Sequence, residues 1–140
     1  MILLDTTPLV ALCDARDGKH RTAVKDLSSL AAEELVLCDA VLTEACFHLP
    51  HLSQRRRLRL LLHELNVQSP ATTSDTGFRV EAFDWLTKYA EHAPDWADAC
   101  LAVLSGHDRH LRVWTYDREF TTTWRRPNGS AIPLCGGGRA

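Results

Sequence analysis

Four acidic residues occupy positions where predicted strands end or predicted helices begin, and they are Asp5, Glu44, Asp98 and Asp117. Asp5 directly follows the apolar segment Ile2–Leu4, and Asp117 follows the alternating segment Leu111–Tyr116. Asp98 is the single charged residue in the otherwise apolar segment Ala97–Leu104. Because an isolated carboxylate on so apolar a helix is unfavourable unless something compensates it, Asp98 is a candidate for chemistry.

The chemistry expected of gathered carboxylates is the binding of a divalent cation. Like charges repel and raise each other's pKa unless a cation neutralises them. Oxygen ligands favour Mg²⁺ or Mn²⁺ over zinc, and such ions support phosphodiester hydrolysis. The sequence contains no P-loop, no GxGxxG and no Ser/His/Asp order that would support another chemistry. The acids therefore predict a metal-dependent phosphodiesterase, provided that the fold brings them together.

Each acid, taken alone, also has an ordinary structural explanation. Asp5 could cap the helix that follows it, and Asp95 is well placed as an N-cap with Asp98 at the third helical position, as in a capping box. Asp95 could also reach a second metal or a water bound to one. Glu44 alone would be an ordinary helix acid and Asp117 an ordinary turn acid. The prediction of a site therefore depends on the set and not on any single member.

Short apolar segments alternate with amphipathic helical spacing along the chain. The predicted strands are Ile2–Leu4, Leu35–Cys38, the residues around Val67, Leu111–Tyr116 and Ala131–Leu134. The predicted helices cover residues 20–32, 40–49, 53–65 and 74–90, with one more after Asp5 and one after Asp95. This alternation predicts an α/β domain with a mostly parallel five-stranded sheet. Because ligands bind outside the carboxyl ends of such strands, the four acids are expected at one edge.

Length and composition narrow the class of protein. The 140 residues are expected to form one domain over residues 1–135, with a disordered tail at 136–140. The net charge of −2 argues against a strongly basic nucleic-acid binder, but not against a nuclease. Apolar runs are too short to span a bilayer, and no signal sequence is expected after Met1. Five cysteines without a CxxC pair are expected to be reduced packing residues in a cytoplasmic protein.

Four short motifs carry a resemblance to a known family. "LLDTTPLVAL" at the start, "LTEACFHL" after the second strand, "DWADACLAVLS" on a late helix and "VWTYDREF" after the next strand resemble the PIN domain. The chain is most similar to the VapC-type toxins of bacterial toxin–antitoxin pairs, from Ile2 to about Leu134. The resemblance implies a three-layer α/β/α fold and an Mg²⁺- or Mn²⁺-dependent ribonuclease. It also implies an RNA substrate, a small VapB-like antitoxin, a homodimer and a location in the bacterial cytoplasm.

The resemblance also assigns roles to individual residues. The four acids Asp5, Glu44, Asp98 and Asp117 match the acidic quartet of the family, and none of the quartet is missing. Asp95 matches an additional acid that many members carry in a D-x-x-D pattern. Thr7 and Thr115 match hydroxyl positions near the pocket, where they would bind carboxylates or waters. Either threonine could instead be a local cap or a strand residue.

Basic and aromatic residues are candidates for RNA contacts. Arg118 follows Asp117, and Arg125 and Arg126 lie in the next loop, where they could bind the RNA backbone near the pocket. A denser group of four arginines could contact RNA, face solvent or bind an acidic partner: Arg55, Arg56, Arg57 and Arg59. Three tryptophans are expected mainly in the core, although they could stack on bases: Trp96, Trp114 and Trp124.

Two rival functions remain open at this point. The chain could be a non-catalytic PIN-like module that binds RNA or a protein and uses the acids structurally. It could also be another metal-dependent phosphohydrolase that acts on small phosphomonoesters.

Overall fold

The central element is a parallel sheet whose strands are very short. A computed structural model describes residues 1–138, and in this part of the chain the sheet has four strands in the order β2-β1-β3-β4. The strands are β1 Ile2–Leu4, β2 Leu35–Val36, β3 Arg112–Trp114 and β4 Leu134–Cys135. All three pairings are parallel, and Ile2 lies opposite Leu35 on one side and Arg112 on the other. The predicted α/β class with a parallel sheet is confirmed.

Helices connect the strands and cover most of the chain. They are α1 Thr6–Cys13, α2 His20–Leu30, α3 Asp39–His48, α4 Leu52–Glu64, α5 Thr76–Lys88, α6 Trp96–His107 and the single turn α7 Glu119–Thr122. Short 3-10 turns occupy Ala71–Ser74 and Ala90–His92. The longer helices lie close to their predicted positions, whereas α7 was not predicted.

The prediction of five strands is wrong, because the third predicted strand contributes a single parallel bridge between Gln68 and Val36. Asn66, just before it, has a left-handed φ of 49°, since the chain turns sharply after α4. Pro70, just after it, has no N–H to donate to a neighbouring strand. The extended segment between these two residues is too short to become a strand.

The last strand also differs from its prediction at Ala131–Leu134. Ala131 forms an antiparallel bridge with Arg125 instead of joining the sheet, and β4 begins only at Leu134. The chain reverses between the two bridge partners at Gly129, which has a φ of +88°. The loop that carries Arg125 and Arg126 is therefore a small hairpin beside the sheet.

The core is formed around β1, β3 and α6. The three residues of β1 are buried, as is every residue of α6 from Ala99 to Ser105. Trp114 and Trp124 are fully buried, which confirms the prediction that they pack in the core, while Trp96 is partly exposed. Cys13, Cys38, Cys46 and Cys100 form no disulfide bond in the part of the chain that the structure describes. Among residues 1–138, no helix combines the length and apolarity that a membrane crossing requires.

The segment 136–140, predicted to be a disordered tail, begins with a turn. The backbone N–H of Gly137 donates a hydrogen bond of 2.7 Å to Oδ2 of Asp26 on α2. Gly136 lies against Trp114, and both Gly136 and Gly137 have left-handed φ angles. Residues 139 and 140 lie outside the described residues, so the disorder predicted for them stays a prediction.

Candidate active site

Six carboxylates line one cavity of about 390 Å³ at the carboxyl edge of the sheet. One of them, Asp17 in the loop between α1 and α2, was not predicted, and the other five are Asp5, Glu44, Asp95, Asp98 and Asp117. These five come from the N-cap of α1, the middle of α3, the N-cap of α6, the first turn of α6 and the loop after β3. The strands β1 and β3 end at this edge side by side. The structure thus brings together the four acids that the sequence singled out, and Asp95 with them.

Asp5 is the most buried of the five, with an exposed fraction of 5%. Its Oδ1 accepts the N–H of Thr6 at 2.7 Å, so Asp5 is the N-cap of α1. Its Oδ2 accepts the hydroxyl of Thr115 at 2.6 Å, and its own N–H donates to the carbonyl of Trp114. The capping role therefore orients the carboxylate in the cavity wall and does not compete with a role in the site.

The surroundings of Asp5 favour its protonated form. The pKa of Asp5 is raised to about 7, chiefly by burial and to a smaller extent by the negative charges of Glu44 and Asp117. The hydrogen bonds from Thr115 and Thr6 act in the opposite direction, because they stabilise the carboxylate. No positively charged group among the described residues lowers this pKa.

Asp95 and Asp98 form a reciprocal capping box at the start of α6. The N–H of Asp98 donates to Oδ1 of Asp95 at 2.8 Å, and the N–H of Asp95 donates to Oδ2 of Asp98 at 3.1 Å. Burial raises the pKa of Asp98 to about 8, and the charges of Asp95 and Asp5 raise it as well. The predicted capping box is confirmed, and both of its carboxylates also line the cavity.

Hydroxyl groups hold the remaining two acids. The hydroxyl of Thr6 donates to Oε2 of Glu44 at 2.8 Å, and Nε2 of His48 lies 3.9 Å from the other Glu44 oxygen. The N–H of Asp117 donates to the Thr115 hydroxyl oxygen at 3.0 Å. Since that same hydroxyl donates to Asp5, Thr115 links the two acids at the ends of β1 and β3.

The PIN-domain family model matches residues 2–123 of the chain. This protein belongs to the PIN-domain family. The resemblance of the four motifs is thereby confirmed at family level. The crystal structure of VapC20 from Mycobacterium tuberculosis, described as a toxin that cleaves the sarcin-ricin loop, has a similar fold. The TM-score is 0.71 at 19% sequence identity, over 91% of this chain and 98% of that chain. No curated protein sequence matches.

Within this PIN domain, Thr6 is a site residue that the sequence did not reveal. Thr7, which was predicted, also lines the cavity, but its hydroxyl oxygen accepts the N–H of Tyr116 at 2.9 Å and contacts no carboxylate. Thr6 binds Glu44 instead. The signal that could have identified Thr6 is its place directly after Asp5, the N-cap of α1.

Lys19, His48 and Tyr116 also line the cavity, together with Val10 and Asp17, and were not predicted either. Lys19 is the single Lys or Arg among the lining residues, and its Nζ lies 5.9 Å from the centre of the Tyr116 ring. The hydroxyl of Tyr116 donates to Oδ2 of Asp26 at 2.6 Å, which fixes the ring. Because Lys19 is exposed, its ammonium group is suited to contact a phosphate group at this cavity.

None of the three arginines proposed as substrate contacts lines the cavity. Arg118 is the N-cap residue of α7, and the guanidinium of Arg125 donates to the carbonyls of Thr121 and Trp124. Two nitrogens of the Arg126 guanidinium are buried without a hydrogen-bond partner in the described chain. A role for these arginines in substrate binding stays a prediction.

The donor set of the cavity fits a hard divalent cation, because six carboxylates and no thiol line it. Within residues 1–138, no three acidic, histidine or cysteine side chains already stand in a metal-binding arrangement. Carboxylates without a cation repel one another, and here hydroxyls and backbone N–H groups occupy several of their oxygens. The raised pKa values of Asp5 and Asp98 reflect the same lack of compensating charge. The residues present therefore fit Mg²⁺ or Mn²⁺.

Proposed function

We propose that this PIN domain is an Mg²⁺- or Mn²⁺-dependent endoribonuclease, and that it is the toxin of a toxin–antitoxin pair. The observation that carries the proposal is the gathering of six carboxylates from distant parts of the chain on one cavity. Membership of the PIN-domain family supports it, as does the likeness of the fold to a toxin described as cleaving an RNA loop.

The roles of the acids follow from their burial and position. Asp5 and Asp98, the two with raised pKa values, would hold the principal metal, and Glu44 and Asp117 would complete its shell or hold a second ion. Asp95 would bind a second ion or a water. When bound, a divalent ion of this kind supplies a water of lowered pKa and offsets the charge that develops on the phosphate.

The other side chains of the cavity position these acids. Thr115 orients Asp5 through its hydroxyl and Asp117 through the backbone, and Thr6 orients Glu44. Lys19, exposed at the mouth, binds a phosphate oxygen of the substrate. The two threonines keep the carboxylates in place during hydrolysis without adding a further acidic or basic group.

The experiment that tests the proposal is RNA cleavage with Mg²⁺ or Mn²⁺. We expect Asp5→Asn and Asp98→Asn to lower the rate by about a hundredfold or more, since each removes a metal-binding charge. Asp84→Asn is the matched control, because Asp84 is exposed on α5 and lies outside the cavity. Equal rates for wild type and all three variants would refute the site. Absence of cleavage by wild type would leave the non-catalytic module as the better description.

The proposed partner is a VapB-like antitoxin that places a basic side chain, such as arginine, in the acidic cavity. Such a side chain would form charge-assisted hydrogen bonds with the carboxylates and displace the metal. Co-purification with the product of a neighbouring gene tests this, and the partner should protect the cavity and block cleavage. A partner that leaves cleavage unchanged would contradict it.

We also propose that the protein is a homodimer in the bacterial cytoplasm. Two large apolar side chains support a dimer, since Phe47 on α3 is 79% exposed and Phe83 on α5 is 60% exposed. Sedimentation of wild type and Phe47→Ser tests it, with a shift toward monomer expected for the variant.

A further inference from the structure

A second cavity lies at the far end of α1 from the acidic site. It has a volume of about 320 Å³ and shares no lining residue with the acidic cavity. Its wall is formed by the end of α1, the loop that follows and the first turns of α4: Cys13, Asp14, Ala15, Arg16, His51, Ser53, Gln54 and Arg57. We refer to it as the basic cavity.

The charge of the basic cavity is opposite to that of the acidic one. Arg16 and Arg57 carry the positive charge, and in the part of the chain that the structure describes neither guanidinium forms a hydrogen bond or an ion pair. Asp14 is the single acid in the lining, and its Oδ1 already accepts the backbone N–H of Arg16 at 3.0 Å. His51 is the N-cap of α4, and its backbone N–H donates to Oε1 of Gln54 at 3.1 Å. Two arginines thus face this cavity with their donors available.

The four arginines of α4 do not form one patch, because they have different surroundings in the structure. The guanidinium of Arg55 donates to the carbonyls of Leu49 and Cys46 at 2.9 Å each, so it stabilises the end of α3. Arg56 and Arg59 line a different cavity on another side of the helix. Only Arg57 of the four lines the basic cavity.

Helix α1 and the loop after it contribute residues to both cavities. Val10 of the helix and Asp17 and Lys19 of the loop line the acidic cavity, whereas Cys13 and Arg16 line the basic cavity. The carboxylate of Asp5 lies at the N-cap of α1 and Cys13 at its other end, and eight residues at 1.5 Å per residue make the helix about 12 Å long. A polynucleotide with one phosphate beside Asp5 therefore reaches the basic cavity within a few nucleotides.

We propose that the basic cavity binds a backbone phosphate of the RNA, a few nucleotides away from the bond that is cleaved. This inference rests on the proposed function. With a net charge of −2, the protein does not attract RNA as a whole, so a local pair of arginines has to supply the attraction. Arginine presents two parallel donors to a phosphate, and such contacts set the position of the strand without reading its sequence.

The test is binding of a fluorescent single-stranded RNA to the full chain in EDTA, where cleavage does not interfere. The double variant Arg16→Gln/Arg57→Gln should bind about tenfold more weakly, and the slope of log affinity against log salt should fall by about 1.4, for two lost contacts. Arg59→Gln is the matched control, with the same charge change on the same helix, and should bind like wild type. Unchanged affinity and slope in the double variant would overturn the inference.

Substrate length adds a second readout. With Mn²⁺, the double variant should have a raised KM on a long RNA and an unchanged kcat, whereas a dinucleotide, too short to span α1, should be cleaved equally by both proteins. A loss on the dinucleotide of the same size would overturn the inference, because it would indicate damage at the acidic cavity. Thermal melts of both proteins separate such damage from unfolding.

Two further outcomes distinguish this inference from the proposed function. If wild type binds RNA through Arg16 and Arg57 but cleaves nothing, the nuclease proposal fails and the phosphate site stands. If polyglutamate competes through the two arginines while the double variant binds RNA normally, the cavity is a site for an acidic partner and the inference is overturned.

Discussion

The hydroxyl of Thr115 donates a hydrogen bond of 2.6 Å to Oδ2 of Asp5, across 110 residues of sequence. Both residues are buried, and they lie where β3 and β1 end side by side. The bond fixes the carboxylate in the wall of the acidic cavity and favours its charged form. Because β1 and β3 are neighbours in the sheet, Thr115 lies close enough to Asp5 to form it.

Replacing Thr115 with valine removes this bond while nearly preserving the shape of the side chain. The pKa of Asp5, about 7 in the intact protein, should rise further, because the hydrogen bond that lowers it is lost. A carboxyl NMR titration of the metal-free protein measures this directly. Thr115→Ser, which retains the hydroxyl, should titrate like wild type. A pKa that is unchanged in Thr115→Val would show that the bond does not act on Asp5.

Without metal, the protein should lose stability as the pH rises. The carboxyls of Asp5 and Asp98 titrate near 3.8 in the unfolded chain, but at about 7 and about 8 in the folded protein. Between these values the folded state holds protons that the unfolded chain has released, so the free energy of unfolding falls with rising pH. The fall should begin near pH 4 and end near pH 8.

Thermal melts in EDTA at several pH values test this slope. Asp98→Asn removes one of the two titrations, so its melting temperature should vary less between about pH 5 and pH 8 than that of wild type. At lower pH, Glu33 opposes the trend, because its hydrogen bond to Arg112 lowers its pKa. A wild-type melting temperature that rises from pH 5 to pH 8 would contradict the burial of uncompensated carboxyls.

The places of Asp5, Asp98 and Asp117 could be predicted from sequence because each lies next to a recognisable strand or helix boundary, whereas Glu44 lies in the middle of α3. Asp5 and Asp117 follow apolar segments directly, and Asp98 stands out on an apolar helix. The hydroxyl of Thr6 and the basic side chain in the cavity could not be predicted in this way. Lys19 enters from a loop and His48 from the face of α3, so their positions depend on how the helices pack.

The missing fifth strand and the unexpected contacts of one arginine both have local causes. The strand expected around Val67 fails because Asn66 turns the chain and leaves only one bridge residue, Gln68. The arginines of α4 looked like one charged surface, yet Arg55 binds backbone carbonyls at the end of α3. The number of arginines along a helix does not reveal which of them donates hydrogen bonds to the backbone carbonyls at the end of a neighbouring helix.

Addition of Mn²⁺ should stabilise the protein more at about pH 8 than at about pH 6. At the lower pH, the ion has to displace protons from Asp5 and Asp98, whose pKa values are about 7 and about 8. An ion at about a hundred times its dissociation constant contributes about 2.7 kcal/mol. Melting temperatures with Mn²⁺ and with EDTA measure the difference. Asp98→Asn should show a smaller shift at both pH values, and an equal shift would place the ion elsewhere.

Gly136 is the position near the C-terminus where a larger residue should be most harmful. Its φ is +81°, and a Cβ there would lie 2.5 Å from Cδ1 of the fully buried Trp114 and 3.1 Å from Oδ2 of Asp26. Because Trp114 cannot move without disturbing β3, we expect Gly136→Ala to lower the free energy of unfolding by about 3 kcal/mol.

Gly18→Ala is the control, since a Cβ at Gly18 meets nothing within 4 Å, and it should change stability by less than about 0.5 kcal/mol. Urea unfolding of the two variants measures both values. Equal stabilities would mean that the segment after β4 does not pack against Trp114.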